Sequence, residues 1–149
     1  MTELRPLDAF GAAVAAAIHA RADATPWSAE TIAGLLAQPG VRGLLALAAD
    51  APVGFVLFRV AADEAEILTL AVLPEARRRG HARRLMAEAV ATVRAHGARR
   101  LLLEVATTNR AATDLYRALG FSSVGSRRGY YATGAGERVD ATIMALDLA

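Results

Sequence analysis

The 149-residue chain is long enough for one domain with its own hydrophobic core, and its formal net charge is only +2 at neutral pH. Such a charge gives no argument for nucleic-acid binding, and no apolar run approaches the roughly 18 residues of a membrane span. The absence of cysteine excludes disulfides, thiol nucleophiles and thiolate metal sites. We therefore expect a single domain, residues 1–149, that is cytoplasmic and has neither a membrane nor a nucleic acid as a direct partner.

The first half of the chain predicts two helices followed by three strands. Asp8 and Ser28 are good N-cap residues, and the helices that they begin should end near Ala20 and Leu36. Short turns at 50–52 and 62–64 separate the strands, and the middle strand is apolar on both faces, which is typical of a central position in a sheet. The predicted strands are 42–49, 53–60 and 65–73.

The second half predicts two more helices within a mixed sheet. Apolar residues at helical spacing indicate a helix from about Gly80 to His96, which Gly97 can end, and Asn109 can cap another helix that runs to Leu119. The strands on either side of the first of these helices should be parallel, joined by a right-handed crossover, so the fold class is α/β. The remaining predicted strands are 100–105, 121–126 and 139–148, with a flexible loop at 133–136.

An arginine-rich segment, RRRGHARR at 77–84, lies between a predicted strand and a predicted helix. The first N–H groups of a helix lack intrahelical partners, and the helix dipole is positive at that end. Gly80 lets a phosphate approach the backbone closely, and guanidinium groups match phosphate geometry. The segment therefore predicts a pyrophosphate-binding loop, with a solvated arginine-rich loop as the alternative. It carries neither the Gly-Lys-Ser/Thr sequence of a P-loop nor the three glycines of a dinucleotide site.

Arg77-x-x-Gly80-x-Ala82 resembles the (Gln/Arg)-x-x-Gly-x-(Gly/Ala) pattern of the GNAT superfamily of acyl-CoA-dependent N-acetyltransferases. Together with the other segments in order, the chain resembles, over nearly its whole length, the ribosomal-protein-alanine N-acetyltransferase subfamily (RimI type). The resemblance implies a GNAT-like mixed, mostly antiparallel central sheet flanked by helices, with acetyl-CoA as co-substrate. The other segments are PWS at 26–28, LEV at 103–105, NRAA at 109–112, LY at 115–116, LGF at 119–121, RRGYY at 127–131 and IMAL at 143–146.

The resemblance also implies which residues bind acetyl-CoA. Strand residues Leu70, Ala71 and Val72 would offer backbone groups to the pantetheine arm and the acetyl carbonyl, which is compatible with an ordinary buried strand. Asn109 would either contact the cofactor or only cap its helix. The His81 side chain is expected to point to solvent, and Ala82 stands where the family more often has glycine. The phosphate-binding amides would be those of Arg78, Arg79, Gly80, His81, Ala82 and Arg83.

Two residues are implied as catalytic. Glu104 would be the general base, directly or through a water, and it ends an apolar run in which desolvation would raise the pKa of a carboxylate. Its alternative role is a salt bridge to Arg99, Arg100 or another arginine. Tyr116 would be the general acid that protonates the coenzyme A thiolate, since a phenol with a pKa of about 10 is protonated at neutral pH. Its alternative role is a core aromatic that packs against Leu115 and Leu119.

Aromatic residues are implied at the peptide-binding side. Tyr130 and Tyr131 lie near the loop that grips the peptide in related enzymes, although an aromatic pair at a strand end is an equal alternative. Gly129 and Ala132 stand where the subfamily usually has asparagine and proline, and both differences could loosen this loop. Trp27 would line the peptide entrance or, as the favoured alternative, fill a hydrophobic gap beside the second helix.

The resemblance implies that the enzyme acetylates the α-amine of a protein N-terminus, an alanine of a ribosomal protein, by direct attack in a ternary complex. Roughly a tenth of α-amines are neutral at pH 7, far more than lysine side chains, so a single glutamate suffices as the base. The absence of cysteine argues against a thiol-borne acetyl intermediate. The alternatives are an acetyltransferase for a small-molecule amine and a non-catalytic acyl-CoA-binding module. The histidines lack metal-ligand spacing, so no metal is expected, and the chain should be a monomer or weak dimer.

Overall fold

The computed structural model describes residues 1–132 and 137–149, in which seven strands form one sheet with helices on both faces. The strand order is β1-β2-β3-β4-β5-β7-β6. Every neighbouring pair is antiparallel except β4 and β5, which are parallel. The strands are β1 Glu3–Leu7, β2 Val41–Ala48, β3 Ala51–Ala61, β4 Glu64–Val72, β5 Arg100–Ala106, β6 Ser122–Ala132 and β7 Arg138–Asp147.

The described residues also contain four α-helices and two short 3-10 turns. The helices are α1 Ala12–Ala22, α2 Ala29–Leu36, α3 His81–Ala95 and α4 Arg110–Ala118, and the 3-10 turns are Ala9–Gly11 and Pro74–Ala76. None of these helices is long and apolar enough to cross a lipid bilayer. The α/β class and the mostly antiparallel mixed sheet that the sequence predicts are confirmed, with helix α3 connecting the two parallel strands.

The predicted helix starts are confirmed by their caps. The Asp8 carboxylate accepts a hydrogen bond from the Phe10 N–H at the 3-10 turn that leads into α1. Ser28 accepts one from the N–H of Thr31, and Asn109 accepts one from the N–H of Ala112. Each bond satisfies a donor that the helix itself leaves free, which is why these residue types marked the starts in the sequence.

The largest differences from the sequence prediction are an additional strand, a shifted turn and a longer strand. Strand β1 is not predicted, because a five-residue segment with a proline has little pattern, but it pairs with β2 at the edge of the sheet, where proline is tolerated. The turn expected at 50–52 lies at 49–50, where both residues have positive φ, so Pro52 falls inside β3. Strand β6 continues to Ala132, beyond the expected end at 126. The loop expected at 133–136 lies outside the described residues.

The core is divided by the sheet into two parts. Leu85 and Met86 of α3 pack with Val56 and Phe58 on one face, whereas Ile18 and Ile32 of α1 and α2 pack on the other. On that second face the partners from β3 are Phe55 and Leu57. Alternate side chains of β3 therefore serve opposite cores, which confirms the prediction that this strand is central.

Candidate active site

A cleft opens where β4 and β5 separate. The two strands pair in parallel only at their starts, Glu64–Glu66 with Arg100–Leu102, and in the described structure their ladder goes no further. On its other side β4 bulges at Leu68, where the register with β3 skips one residue. Beyond these pairs the facing edges of β4 and β5 carry backbone N–H and C=O groups without a strand partner. Such an opening can take an extended ligand with amide groups of its own.

The three strand residues expected at the acetyl group lie in this unpaired part of β4. Ala71 and Val72 are buried and belong to opposite cores, whereas Leu70 is half-buried. Strand β3 approaches closely at Gly54, where a Cβ atom would lie 2.8 Å from the Ala71 carbonyl oxygen. The side chains thus serve the core while the backbone edge faces the cleft, so both roles given to these residues from the sequence are compatible here.

The start of α3 has the features of an anion site. Gly80 is its N-cap in the left-handed conformation with φ of 87°, and no side chain of the described residues caps the first turn. The space above Gly80 is open, since a Cβ there would have no neighbour within 4 Å. Arg78, Arg79 and Arg83 are exposed around it. Uncapped N–H groups, the positive end of the helix dipole and these guanidinium groups together fit a phosphate.

Arg77 has a different role from its neighbours in the arginine-rich segment. Its Nε donates to the Val72 carbonyl oxygen at 3.2 Å, and its Nη2 donates to the Ala22 carbonyl oxygen at 3.3 Å. The first bond holds the end of β4 and the second satisfies the last turn of α1, where a cation is favourable. Arg77 therefore fastens the loop to the scaffold.

The His81 side chain does not point to solvent, so this expectation is wrong. Its ring is only 4% exposed, and Nδ1 lies 2.7 Å from the hydroxyl oxygen of Thr2, in a hydrogen bond that ties the N-terminal segment to α3. Burial lowers the pKa of His81. Seventy-nine residues separate the partners, so no local pattern indicated the contact. The predicted role of His81 concerns its backbone N–H, which this contact leaves untouched.

Glu104 lies on β5 beside the cleft and forms an ion pair with an arginine. Arg127 Nη1 donates to Oε1 at 2.9 Å and to Oε2 at 3.2 Å. The Glu104 side chain is 28% exposed, which leaves it within reach of solvent and of a ligand. The alternative of a salt bridge is therefore observed, with Arg127 as the arginine, while a catalytic role stays a prediction.

A bulge in β6 brings two tyrosines to Glu104. The register with β7 jumps between Arg127 and Tyr131, and Gly129 turns the backbone with φ of 59°. The Tyr131 hydroxyl donates to the backbone carbonyl oxygen of Glu104 at 3.0 Å, and the Tyr130 and Tyr131 rings meet edge to face at 5.0 Å. Burial, with help from the Glu104 charge, raises the pKa of Tyr131 to about 12.

Gly129 suits this bulge for a conformational reason. Asparagine, which the resemblance leads one to expect there, is also among the residues that tolerate the left-handed region. The Gly129 N–H donates to Asp140 Oδ1 at 2.8 Å, and its carbonyl accepts from Arg138 Nε at 2.7 Å. Two side chains therefore hold the backbone at Gly129, which limits the loosening expected from the absence of asparagine.

Tyr116 lies on α4 with its ring in the core. It is 7% exposed and packs against Phe121, with ring centroids 5.8 Å apart. Burial, and to a smaller extent the neighbouring Tyr131, raises its pKa to about 12. No hydrogen bond to its hydroxyl is found among the described residues. The alternative of a core aromatic is therefore observed, while the role of general acid stays a prediction.

A buried histidine that no sequence pattern indicated organises the loop after α1. His19 Nδ1 accepts a hydrogen bond from the Trp27 N–H at 2.9 Å, and Nε2 lies 3.3 Å from Asp23 Oδ2. The His19 ring meets Trp27 and Phe55 edge to face, so the packing role of Trp27 is observed. The hydrogen bond from His19 lowers the pKa of Asp23, whose charge in turn acts on Tyr131.

Asp23 and Arg127 thus join the residues around Tyr131. Arg127 stood in the quoted segment RRGYY, but nothing in the sequence distinguished it from Arg128.

No group of three or more potential metal ligands occurs in the ranges that the structure describes. Two surface cavities, of about 470 Å³ at Thr2 and Leu44 and about 270 Å³ at Val14 and Pro52, lie away from Glu104.

Comparisons with known proteins show which family the chain resembles. The model of the Acetyltransferase (GNAT) family matches residues 12–121. The chain is 39% identical over 133 residues to the [ribosomal protein bS18]-alanine N-acetyltransferase of Salmonella typhimurium, covering 88% of this chain and 87% of that protein. It also resembles the crystal structure of the ribosomal-protein-S18-alanine N-acetyltransferase from Escherichia coli, with a TM-score of 0.92 and 34% identity over 100% and 95% of the two chains.

A more distant neighbour shares the fold alone. Arabidopsis thaliana NAA60 in complex with acetyl-CoA has a TM-score of 0.88 at 20% identity, over 99% of this chain and 98% of that one. Its overall fold therefore coincides with the present one across almost the whole chain.

Proposed function

This chain belongs to the GNAT acetyltransferase family, and from that premise we propose that it transfers the acetyl group of acetyl-CoA to the α-amine of an N-terminal alanine on a ribosomal protein. The observation that carries the proposal is the similarity, across most of the chain, to enzymes named for alanine acetylation on ribosomal protein bS18. A ribosomal-protein substrate would place the reaction in the cytoplasm, and we expect the enzyme to act as a monomer or weak dimer.

Binding would use the cleft and the start of α3. When bound, acetyl-CoA supplies an activated acetyl thioester. The uncapped N–H groups of α3 and the exposed arginines would hold its pyrophosphate, and the free edge of β4 at Leu70, Ala71 and Val72 would hydrogen-bond to the arm and orient the carbonyl. The Asn109 side chain caps α4 in the present structure, so a contact with the ligand would require it to share that bond.

Glu104 would take the proton from the incoming α-ammonium, directly or through a water. The Tyr131 hydroxyl bonds to the backbone carbonyl oxygen of Glu104, and the 28% exposed Glu104 side chain gives an amine access. The amine nitrogen would then attack the thioester carbonyl in a ternary complex, so that a carbon–nitrogen bond forms as the carbon–sulfur bond breaks. Tyr130 and Tyr131 would border the incoming peptide.

Tyr116 would donate its phenol proton to the departing sulfur, and the second proton that the nitrogen loses as the amide forms would restore the phenol. Its pKa of about 12 keeps the hydroxyl protonated at neutral pH, and the hydroxyl has no competing protein acceptor in the described part of the chain. A positioned acid of this kind contributes roughly 10²–10⁴-fold to a rate.

Thiol release from acetyl-CoA tests the proposal and separates it from its alternatives. The purified protein is incubated with a peptide that begins with alanine, with the same peptide already acetylated, with a polyamine, or alone. We expect release only with the free-amine peptide, together with a single acetyl group on its α-amine by mass spectrometry. Faster release with the polyamine would favour a small-molecule acetyltransferase. Binding of acetyl-CoA without release under any condition would favour a non-catalytic module.

A further inference from the structure

The carboxylate that is proposed to meet the substrate's ammonium already holds a cation of this chain. Arg127 Nη1 donates to both oxygens of Glu104, at 2.9 Å and 3.2 Å. A protonated α-amine is also an N–H donor with a positive charge, and it would make the same two contacts. The guanidinium therefore stands where the substrate's amine has to be.

The ion pair is of the kind that opens at little cost. One nitrogen of the guanidinium serves both carboxylate oxygens, so the geometry is not the two-nitrogen fork that makes arginine pairs strong. The side chains are 50% exposed on Arg127 and 28% exposed on Glu104. Exposed pairs of this type contribute about 0.2–1 kcal/mol.

Arg127 also has a second place to rest. Its guanidinium carbon lies 3.8 Å from the centre of the Tyr130 ring, a distance at which the cation is attracted to the ring face. Tyr130 is 41% exposed, so the guanidinium can stay over the ring while its nitrogen leaves the carboxylate. Release from Glu104 therefore does not leave the charge without a partner.

The ion pair is not what holds this part of the sheet together. Gly129 is fastened by Asp140 and Arg138, and Tyr131 bonds to the backbone of Glu104 without involving its carboxylate. The bulge and both tyrosines therefore keep their supports when Arg127 moves. This independence separates a role in substrate binding from a role in folding.

We propose that Arg127 is a resident competitor in the amine subsite: it holds the Glu104 carboxylate until the peptide's α-ammonium displaces it onto the face of Tyr130. The inference rests on the proposed function, in that Glu104 is the group that meets the amine. It adds a residue that sets the affinity for the amine, because a cationic N-terminus has to displace the guanidinium, whereas a neutral N-terminus leaves the ion pair closed.

The test measures peptide binding in the presence of saturating coenzyme A, by calorimetry, so that no turnover is needed. Two peptides that begin with alanine are compared, one with a free α-amine and one acetylated. Removing the competitor in Arg127→Ala should tighten the free-amine peptide by about two- to five-fold and leave the acetylated peptide unchanged. Arg127→Lys should restore the parent ratio, because a lysine ammonium can occupy the same place.

Arg128→Ala is the matched control, since it removes the same charge from the adjacent exposed position. It should shift both peptides equally and leave their ratio at the parent value. Methylguanidinium ion provides a second arm: in Arg127→Ala it should compete with the free-amine peptide and not with the acetylated one. The inference is overturned if Arg127→Ala changes the affinities of both peptides alike or weakens the binding of the free-amine peptide. It is also overturned if neither peptide binds.

Acetylation measured on the same preparations keeps the two proposals apart. A free-amine preference that depends on Arg127, without any acetyl transfer, would leave the inference standing and refute the proposed function. Acetyl transfer to the α-amine without an effect of Arg127 on the free-amine preference would refute the inference and leave the function standing.

Discussion

Tyr116→Phe is the substitution that best separates a catalytic hydroxyl from a structural one. It keeps the buried ring and its contact with Phe121 and removes only an oxygen that has no hydrogen-bond partner among the described residues. A lost hydrogen bond typically costs about 1 kcal/mol, and this change removes none within the described ranges. At neutral pH the free energy of unfolding should therefore change by less than about 1 kcal/mol.

The effect on stability becomes large only at high pH. Burial raises the pKa of Tyr116 to about 12, from an ordinary value of 10.0, so the folded state keeps the proton in a range where the unfolded state has lost it. Stability from this group is complete below the unfolded pKa and is lost as pH rises toward the folded one. The loss at pH 11 is about 1.4 kcal/mol, and the full shift of about two units corresponds to ~3 kcal/mol.

Phenylalanine does not titrate, so the variant escapes this loss. Urea unfolding at pH 8, 10 and 11 should show parent and variant alike at pH 8 and the variant ahead by about 1.4 kcal/mol at pH 11. The ionisation of Tyr131 occurs in both proteins and cancels in the difference. A constant difference across this pH range would show that the phenol is not held in the neutral form.

Turnover decides the catalytic role on the same preparation. If the phenol protonates the departing thiolate, Tyr116→Phe should lower kcat by roughly 10²–10⁴-fold while the stabilisation by acetyl-CoA stays at the parent value. Full activity in a stable variant would remove Tyr116 from the mechanism and leave protonation of the thiolate to water.

The remaining predictions concern the phosphate loop, the base and a helix cap. Acetyl-CoA at 100-fold excess over its Kd should stabilise the parent by about 2.7 kcal/mol, and Gly80→Val should abolish the resulting increase in Tm. Gly97→Val is the control and should keep the increase, because Gly97 has the same left-handed strain and open surroundings at the other end of α3. Glu104→Gln should lower turnover by roughly 10²–10⁴-fold. Acetyl-CoA affinity should be unchanged, because the substitution leaves the bond from Tyr131 to the backbone of Glu104 in place. Near-normal turnover at pH 7 would make Glu104 structural. Ser28→Ala removes the bond to the Thr31 N–H and should cost about 1 kcal/mol in urea unfolding; no loss would mean that water replaces the cap.

The sequence by itself determined the features that depend on neighbouring residues. Asp8, Ser28 and Asn109 mark helix starts because a cap bonds to N–H groups only two or three residues away. Gly80 between a strand and a helix predicted an open backbone that a phosphate can approach, and in the structure it is the left-handed N-cap of α3. The periodicity of apolar residues then indicated the strands, the helices and the α/β class, and the spaced motifs indicated the family.

Only the tertiary structure decided which distant groups meet. Four features of the site depend on residues that are 23 to 79 positions apart in the sequence. They are the separation of β4 from β5, the Arg127–Glu104 ion pair, the Tyr131–Glu104 bond and the burial of His81 against Thr2. A sequence pattern records what each residue can do, but the closure of long loops and the register of strand pairs determine which partner it finds. The sequence therefore predicted a general base at Glu104, and the fold alone revealed that the Arg127 guanidinium is already paired with its carboxylate.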